Sequence, residues 1–445
     1  MKIVIAGAGE VGFHLAKLLS EGSQDIILID NNNERLEYAQ HHLDVLTVKG
    51  DATSIFTMKR ADISKADLLI TATSSETANL TAAILGKKMG AKTTVARISN
   101  MEFLKYEKEL DISSLGIDEM ISPEALASEE IERLIHRSAF TDAFEFENGK
   151  LDLVGIHLED NAPMIDKSVL ELAEIEDLKF ITVAIQRGME TIIPRKNTVF
   201  RRDDHVYCIA PPEGSDQILK LTGKKKHNIK NVMILGGSRV GKMAARKLSK
   251  EGYQIKVIEK DEEKCFELSD KLPGVLIIHG NCTNVDLLEE ENVENMDAFV
   301  AVTGNSETNI MSCLMAKTHG VKKTIALVDN MEYLHLSKQI GIDSLINKKH
   351  IAAHNIFRFV RQGVISLTGL HGVDAEILEF EVPEDSKITK KAIKDLGFPR
   401  SAIIGGVVRD GVGLKTMGDF QMRTDDRVVI FCLPDAIEKV SSFFK

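Results

Sequence analysis

Most of the first half of this chain returns in the second, and that duplication constrains the fold more than any composition could. The opening MKIVIAGAGEVGFHLAKLLSEGSQDIILID reappears as KNVMILGGSRVGKMAARKLSKEGYQIKVIE from Lys230. Gly7 maps to Gly236, Gly12 to Gly241 and Asp30 to Glu259, each at an offset of 229. KGDATS (Lys49 to Ser54) answers HGNCTN (His279 to Asn284) at an offset of 230. SSETANLTAAILGKKMGAKTTVARISNMEFL then answers NSETNIMSCLMAKTHGVKKTIALVDNMEYL with one single-residue slip. A weaker echo near an offset of 222 links FRRDDHVYCIAP (Phe200 to Pro211) to MRTDDRVVIFCLP (Met422 to Pro434). Four segments are expected: a long α/β unit (1–140), a short α/β unit (141–223), a linker (224–230), then both units again (231–368 and 369–445).

The long units alternate apolar runs with helical periodicity, which predicts a parallel sheet covered by helices on both faces. In the first unit the strands read KIVIAG, DIILID, DVLTVKG, DLLITAT and KTTVARI, continuous Val/Ile/Leu runs of the kind buried on both sides. SPEALASEEIERLI closes the unit as a helix capped by Ser122 with Pro123 at its first position. Each short unit should open with a strand (LDLVGIHL; EILEFEV) followed by a helix near SVLEL or AIKDL. A pair of strands then turns at Gly188 or at Asp410-Gly411. Glu213 to Lys230 reads as the connection between halves, with Lys224 to Lys226 as a solvated tether or a patch for an acidic partner. The predicted class is α/β: two Rossmann-like, doubly wound parallel-sheet domains, each followed by a small α/β domain.

Gly7-Ala-Gly9-Glu-Val-Gly12 follows a strand and opens a helix, the context that gives a GxGxxG pattern its specificity. Gly7 permits the tight turn, Gly9 lacks the Cβ that would block a phosphate, and Gly12 lets the helix pack closely. The amides of Glu10 and Val11 and the helix dipole then favour a pyrophosphate or polyphosphate. Asp30 ends the second strand, where a carboxylate accepts from ribose hydroxyls and repels a 2′-phosphate, which disfavours NADP. Asp51 and Ala52 follow the third strand on the adenine side. Thr73-Ser74-Ser75-Glu76 follows the fourth strand, supplying pocket hydroxyls and a helix N-terminus or merely a helix cap, and Arg97 at the end of the fifth can pair a phosphate. The bland alternative is a Rossmann unit kept only for its fold.

The second copy departs from the first. Gly236, Val240, Gly241 and Glu259 are retained, but Ser238 replaces the close-approach glycine, Asn281 replaces Asp51 and Leu327 replaces Arg97. Arg239 could restore a positive charge, so this turn is either a second nucleotide site or a structural duplicate. Elsewhere, His350 and His354 sit four apart on an expected helix, a spacing that could seat a metal but lacks an evident third ligand. His41-His42 and the run Glu289 to Glu291 read as solvated surface. No GxSxG or HExxH pattern is present.

Composition excludes several classes. No apolar run of the 445 residues approaches the ~18–20 needed to span a bilayer. The opening run before Gly7 is too short for a signal-peptide core. A formal charge of −11 argues against coating of nucleic acid. The five cysteines (Cys208, Cys265, Cys282, Cys313, Cys432) form no CxxC pair and read as reduced thiols of a cytosolic protein.

With GAGEVG, the distal Asp30, GDAT, the SET-containing helix and the strands VGIHLEDNAP and LEFEVPEDS in view, the whole chain resembles the TrkA family of Trk-system potassium uptake proteins. These are cytosolic regulatory subunits built from two RCK modules, in the order RCK-N, RCK-C, RCK-N, RCK-C. The resemblance implies a homotetrameric ring docked beneath a TrkH/TrkG-like membrane subunit that translocates potassium. It implies no enzymatic activity, and NAD(H) and ATP or ADP as regulatory ligands in the RCK-N cleft. Carried over, Gly7, Gly9, Glu10, Val11 and Gly12 would cradle phosphates, Asp30 the ribose, Asp51 and Ala52 the adenine, and Arg97 the phosphates, with Thr73 in the central pocket. A rival from another class is an NAD-dependent oxidoreductase; a third reading is a nucleotide-free scaffold.

Overall fold

A computed structural model describes the chain except residues 21–23, 108, 110, 148, 189, 282–283, 331–332, 334–340, 358, 360–363 and 370–374. Cys282 therefore lies outside the described residues. Two compact units are formed, Met1–Ala127 with Asn347–Gln362, and Ser128–Ile346 with Gly363–Lys445.

Unit 1 is built on a six-stranded parallel sheet of β1 (Lys2–Ala6), β2 (Asp25–Asp30), β3 (Leu46–Lys49), β4 (Leu68–Thr71), β5 (Thr93–Arg97) and β6 (Glu119–Ile121). Its order, β3-β2-β1-β4-β5-β6, reverses direction between β1 and β4, which opens a crevice at the carboxyl ends of those strands. Ile3, Val4, Ile5, Leu28, Leu69 and Ile70 are fully buried, as two covered faces require. The short strand β6 was not read from sequence, because three residues carry no periodicity. The helix Glu10–Ser20 is covered by the helix Lys348–Phe357, supplied by the second repeat. Lys349 Nζ lies 2.7 Å from a Glu10 carboxylate oxygen, and the rings of His14 and His350 are 5.9 Å apart.

Unit 2 contains the other three sheets. The first small sheet comprises β7 (Asp142–Phe146), β8 (Leu151–His157), β9 (Ile181–Arg187), β10 (Glu190–Ile192) and β11 (His205–Ala210), ordered β10-β9-β11-β8-β7. The second Rossmann sheet repeats the first: β12 (Asn231–Leu235), β13 (Gln254–Glu259), β14 (Leu276–His279), β15 (Ala298–Ala301), β16 (Lys323–Leu327) and β17 (Ser344–Ile346), ordered β14-β13-β12-β15-β16-β17. The second small sheet holds β18 (Val364–Gly369), β19 (Glu376–Glu381), β20 (Ala402–Arg409), β21 (Val412–Leu414) and β22 (Arg427–Cys432), ordered β18-β19-β22-β20-β21. On the helix Arg239–Lys250 of this unit, Lys247 pairs with Glu129 and Glu132, and Glu251 just beyond it with His136 at 2.8 Å.

Three expectations need correction. Each small sheet begins one strand earlier than expected, with β7 and β18 pairing antiparallel to β8 and β19, so a boundary at 368/369 would cut β18. Ser215–Thr222, expected within a linker, is a helix with Ile218 and Leu219 buried, so the irregular connection is only 224–230, where Lys224 pairs with Glu159. AIKDL forms a single 3₁₀ turn, Ile393–Asp395, where SVLEL forms a helix, Val169–Ala173, closed by a Ser168/Glu171 capping box.

The RxDD echo has a structural explanation. Arg187 grips the buried Asp204 at 2.7 Å and Arg409 grips Asp426 at 2.7 Å, each aspartate also accepting a backbone amide from Arg201 or Arg423. The turns at Gly188 (φ 58°) and Asp410-Gly411 (φ 51° and 75°) close the two hairpins β9–β10 and β20–β21. The two small sheets share one core, in which Leu151, Leu153, Tyr207 and Ile209 meet Ile377, Val429 and Phe431. Cys208, Cys265, Cys313 and Cys432 are buried free thiols, and burial pushes that of Cys208 up to about 12.

Candidate functional site

The crevice of the first Rossmann sheet is an open cavity of about 510 Å³ under the glycine turn. At its rim, strand β1 ends in Gly7, whose φ of 109° is a left-handed conformation, and a Cβ there would lie 2.8 Å from the backbone of Ala72 and Thr73. A Cβ on Gly12 would lie 1.8 Å from the Gly7 carbonyl oxygen. Gly9 differs from both. Its nearest neighbour would be an Arg35 guanidinium nitrogen at 3.8 Å, so the space above it belongs to the cavity. Of the first-repeat residues singled out by sequence, Gly7, Gly9, Glu10, Val11, Asp30, Asp51, Ala52, Thr73 and Arg97 border the cavity. Gly12 stands behind them, holding helix to strand.

Asp30 is buried at the end of β2. One carboxylate oxygen accepts the Ala8 amide at 2.7 Å and the other the Asn32 amide at 2.8 Å, with Arg35 4.0 Å away. It therefore braces the glycine turn as well as facing the cavity, and each oxygen keeps a second lone pair for a ligand. Asp51 is exposed and accepts both the amide and the hydroxyl of Thr53 at 2.8 Å, bonds that hold its carboxyl below the usual range.

The Thr73 region is organised by a residue that sequence reasoning did not single out. Asn79, buried in the helix Glu76–Met89, accepts the Thr73 amide at 2.8 Å and hydroxyl at 2.7 Å. Its amide nitrogen donates to the carbonyls of Thr73 at 3.1 Å and Arg97 at 3.0 Å. One side chain thus ties the ends of β4 and β5 together. Within the Thr73–Glu76 stretch it is Ser75 that caps the helix, accepting from Ala78. Asn309 repeats the arrangement around Thr303 and Leu327, with Asn305 as cap. The capping serine, anchoring asparagine and following strand all keep the 230 offset, so the apparent slip at SET is a coincidence of letters. Arg97 borders the cavity 3.9 Å from Glu124, in the first turn of the Ser122-capped helix.

Arg35, Lys348 and Lys349 also border the cavity and were missed. Arg35 carried a visible signal, lying five residues beyond Asp30 in the first turn of the helix that follows it. Lys348 and Lys349 carried none, since they arrive on a helix from the other repeat.

In the second copy, Gly236 (φ 102°) and Gly241 keep the turn, and Glu259 accepts the Gly237 amide at 2.8 Å. Ser238 places a side chain where Gly9 leaves space, and its hydroxyl accepts the Gly241 amide at 3.3 Å. Arg239 and Asn281 are exposed, whereas Val240 and Leu327 are buried. The backbone frame survives, while the close-approach position and the candidate phosphate cation are gone.

His350 and His354 do meet, with ring nitrogens 2.9 Å apart. Burial and the nearby Lys17 and Lys349 push His14 beside them down to about 4, an environment that disfavours a further cation. Glu132, His136 and Glu251 could approach one ion, but Lys247, 3.1 Å from Glu132, already supplies positive charge.

Comparison with known proteins agrees with this architecture. Residues 3–123 and 232–348 match the TrkA-N domain, and 153–223 and 377–445 the TrkA-C domain. The chain is 32% identical over 454 residues to Trk system potassium uptake protein TrkA homolog 1 of Methanosarcina mazei, covering 100% of each. It is 31% identical over 454 residues to Trk system potassium uptake protein TrkA of Azorhizobium caulinodans, covering 100% of this chain and 99% of that one. Among solved structures, the GsuK channel bound to NAD superposes with a TM-score of 0.61 at 14% identity, over 100% of this chain and 78% of that one, a likeness of fold. With its duplicated Rossmann and small-sheet modules and full-length relatives above 30% identity, the chain belongs to the TrkA family of Trk system potassium uptake proteins.

Proposed function

We propose that this chain is the cytosolic regulatory subunit of a Trk-type potassium uptake system, reading the adenine nucleotide pool through its first Rossmann crevice. The observation that carries this reading is the open 510 Å³ cavity at Gly9, the glycine of the Gly7/Gly9/Gly12 turn whose bare backbone faces open space. Arg35, Arg97, Lys348 and Lys349 around it match the charge of a di- or triphosphate, and Asp30 its ribose. The naming of relatives as potassium uptake proteins supports the transport role, and the NAD-bound GsuK channel supports a dinucleotide as one ligand of this fold. NAD(H) and ATP or ADP would compete for the crevice. Four chains in a ring beneath a TrkH/TrkG-like membrane subunit would pass the difference to the pore, so the protein would work at the inner face of the cell membrane. No described helix is long and apolar enough to cross a membrane, so attachment would run through that partner.

Two nucleotides can gate only through unequal affinities for the two ring states, typically ~1–3 kcal/mol per site. Arg97 is the natural source of that inequality, since a charge-assisted bond to an extra phosphate contributes ~1.5–3 kcal/mol. Calorimetry on Arg97→Ala should show the ATP and ADP affinities converging. Equal weakening of both would reduce Arg97 to a uniform contact. Asp30→Asn, which keeps the shape but only one of the two acceptors for the turn, should lower ADP affinity ~10-fold or more by removing the charge on the ribose contact. Unchanged affinity there would remove Asp30 from the site.

The relatives are named as potassium uptake proteins and not as enzymes. Steady consumption of NADH with any candidate substrate would instead favour an oxidoreductase.

A further inference from the structure

A second cavity, of about 340 Å³, lies within unit 2 between the first small sheet and the second Rossmann sheet. Lys224, Lys225, Lys317, Lys322 and Lys323 border it, against Asp142, Glu159 and Asp343. In a chain of formal charge −11 this is a local excess of positive charge.

Part of that charge is scaffold. Lys224 pairs with Glu159, Lys317 with Asp343, and Lys322 with Asp297 at 2.8 Å. The first repeat holds counterparts of the last two, Lys87–Asp118 and Lys92–Asp67, each at 2.7 Å. Lys323 is different, because its counterpart at the 230 offset is Thr93. The Lys323 side chain is 1% exposed. Its ammonium donates to the Phe140 carbonyl at 2.6 Å and the Ser344 hydroxyl at 3.0 Å, both neutral acceptors. The charged groups acting on it from neighbouring elements are Asp343, Asp142, Lys317 and Glu130, and burial outweighs them, holding the ammonium down to about 8.

A buried ammonium hydrogen-bonded only to neutral oxygens, with Asp343 and Asp142 acting on it through space, lacks the directly bonded counter-charge that such burial demands. An anion entering the cavity would supply it. Phe140, Ile156, Ile342 and Leu345 give the same cavity an apolar side, and Lys225 stands exposed at its mouth. We propose that this cavity is a second ligand site, taking a small phosphate-bearing anion against Lys323, with Lys225 as rim cation. Occupancy would tie the Phe140–Asp142 segment to β16 and β17, and so bind the first small sheet to the second Rossmann sheet. The site stands whether or not the first crevice takes a nucleotide.

Calorimetric titration of the full chain with inorganic pyrophosphate tests this. Lys323→Met should weaken binding at least ~10-fold and Lys225→Ala ~3-fold or more, with ADP affinity unchanged in both. At pH 8 the anion should draw up to about half a proton onto Lys323, seen as a buffer-dependent heat that Lys323→Met abolishes. Parental titrations in both variants would overturn the proposal. Loss confined to Arg97→Ala would also overturn it, by placing the pyrophosphate at the glycine turn. Should Lys323→Met lose ADP binding and fold poorly, the exposed Lys225 decides: unchanged pyrophosphate affinity in Lys225→Ala refutes the site.

Discussion

Gly9→Ala should fold as well as the parent and lose nucleotide at least ~30-fold, while Gly12→Ala, three residues away, should lose ~3 kcal/mol or more of stability. The contrast rests on what a methyl group meets. At Gly9 the nearest atom is the end of a flexible arginine side chain 3.8 Å away, and the backbone is not left-handed, so alanine adds ~0.4–1 kcal/mol by restricting the unfolded chain. The methyl then occupies the approach of a phosphate to the turn and displaces charge-assisted bonds contributing ~2 kcal/mol, which is ~30-fold. At Gly12 the methyl would lie 1.8 Å from the Gly7 carbonyl, so helix and strand must separate, at the upper end of overpacking costs of ~1–3 kcal/mol and more. Denaturant melts and ADP calorimetry on the two variants decide it. If Gly9→Ala binds ADP like the parent, the phosphates do not sit at this turn.

Asn79→Ala should be nearly as damaging, for a different reason. Its side chain makes four hydrogen bonds at 2.7–3.1 Å, to Thr73 and to the Arg97 carbonyl. Removing it leaves half-buried partners unsatisfied at ~1–3 kcal/mol each, partly relieved by water from the adjoining cavity, for a net loss of ~3 kcal/mol. Asn309→Ala cuts the same contacts around Thr303 and Leu327 and should cost a similar amount. Only Asn79→Ala should also weaken nucleotide binding, because Thr73 and Arg97 lose their shared anchor. Equal effects on binding from the two variants would mean that the second crevice binds ligand too, or that neither does.

The first crevice was legible because its signals are local. Strand, glycine turn, helix and distal acid follow one another along the chain, and backbone sterics join them in one way. Arg35 could have been added from its place in the first turn of the helix that follows Asp30. Asn79 was visible as a letter in SSETANL, but its role depends on β4 and β5 lying side by side, which only the closed sheet provides. In the second copy, the replacement of the close-approach glycine by Ser238 was plain in the letters. That the hydroxyl turns back onto the Gly241 amide was not.

By itself, the amino-acid sequence determined the duplicated α/β plan, the strands of both Rossmann sheets apart from their last, and the phosphate turn, since each follows from periodicity and steric rules acting over a few residues. Tertiary structure alone decided which helix covers Glu10–Ser20, which lysines reach the first cavity, that the two small sheets share a core, and that Lys323 is buried where Thr93 is its counterpart. An apolar stripe states that a surface must be covered. It does not name the cover, because elements hundreds of residues apart compete for it and the choice is made by the packing of the whole chain.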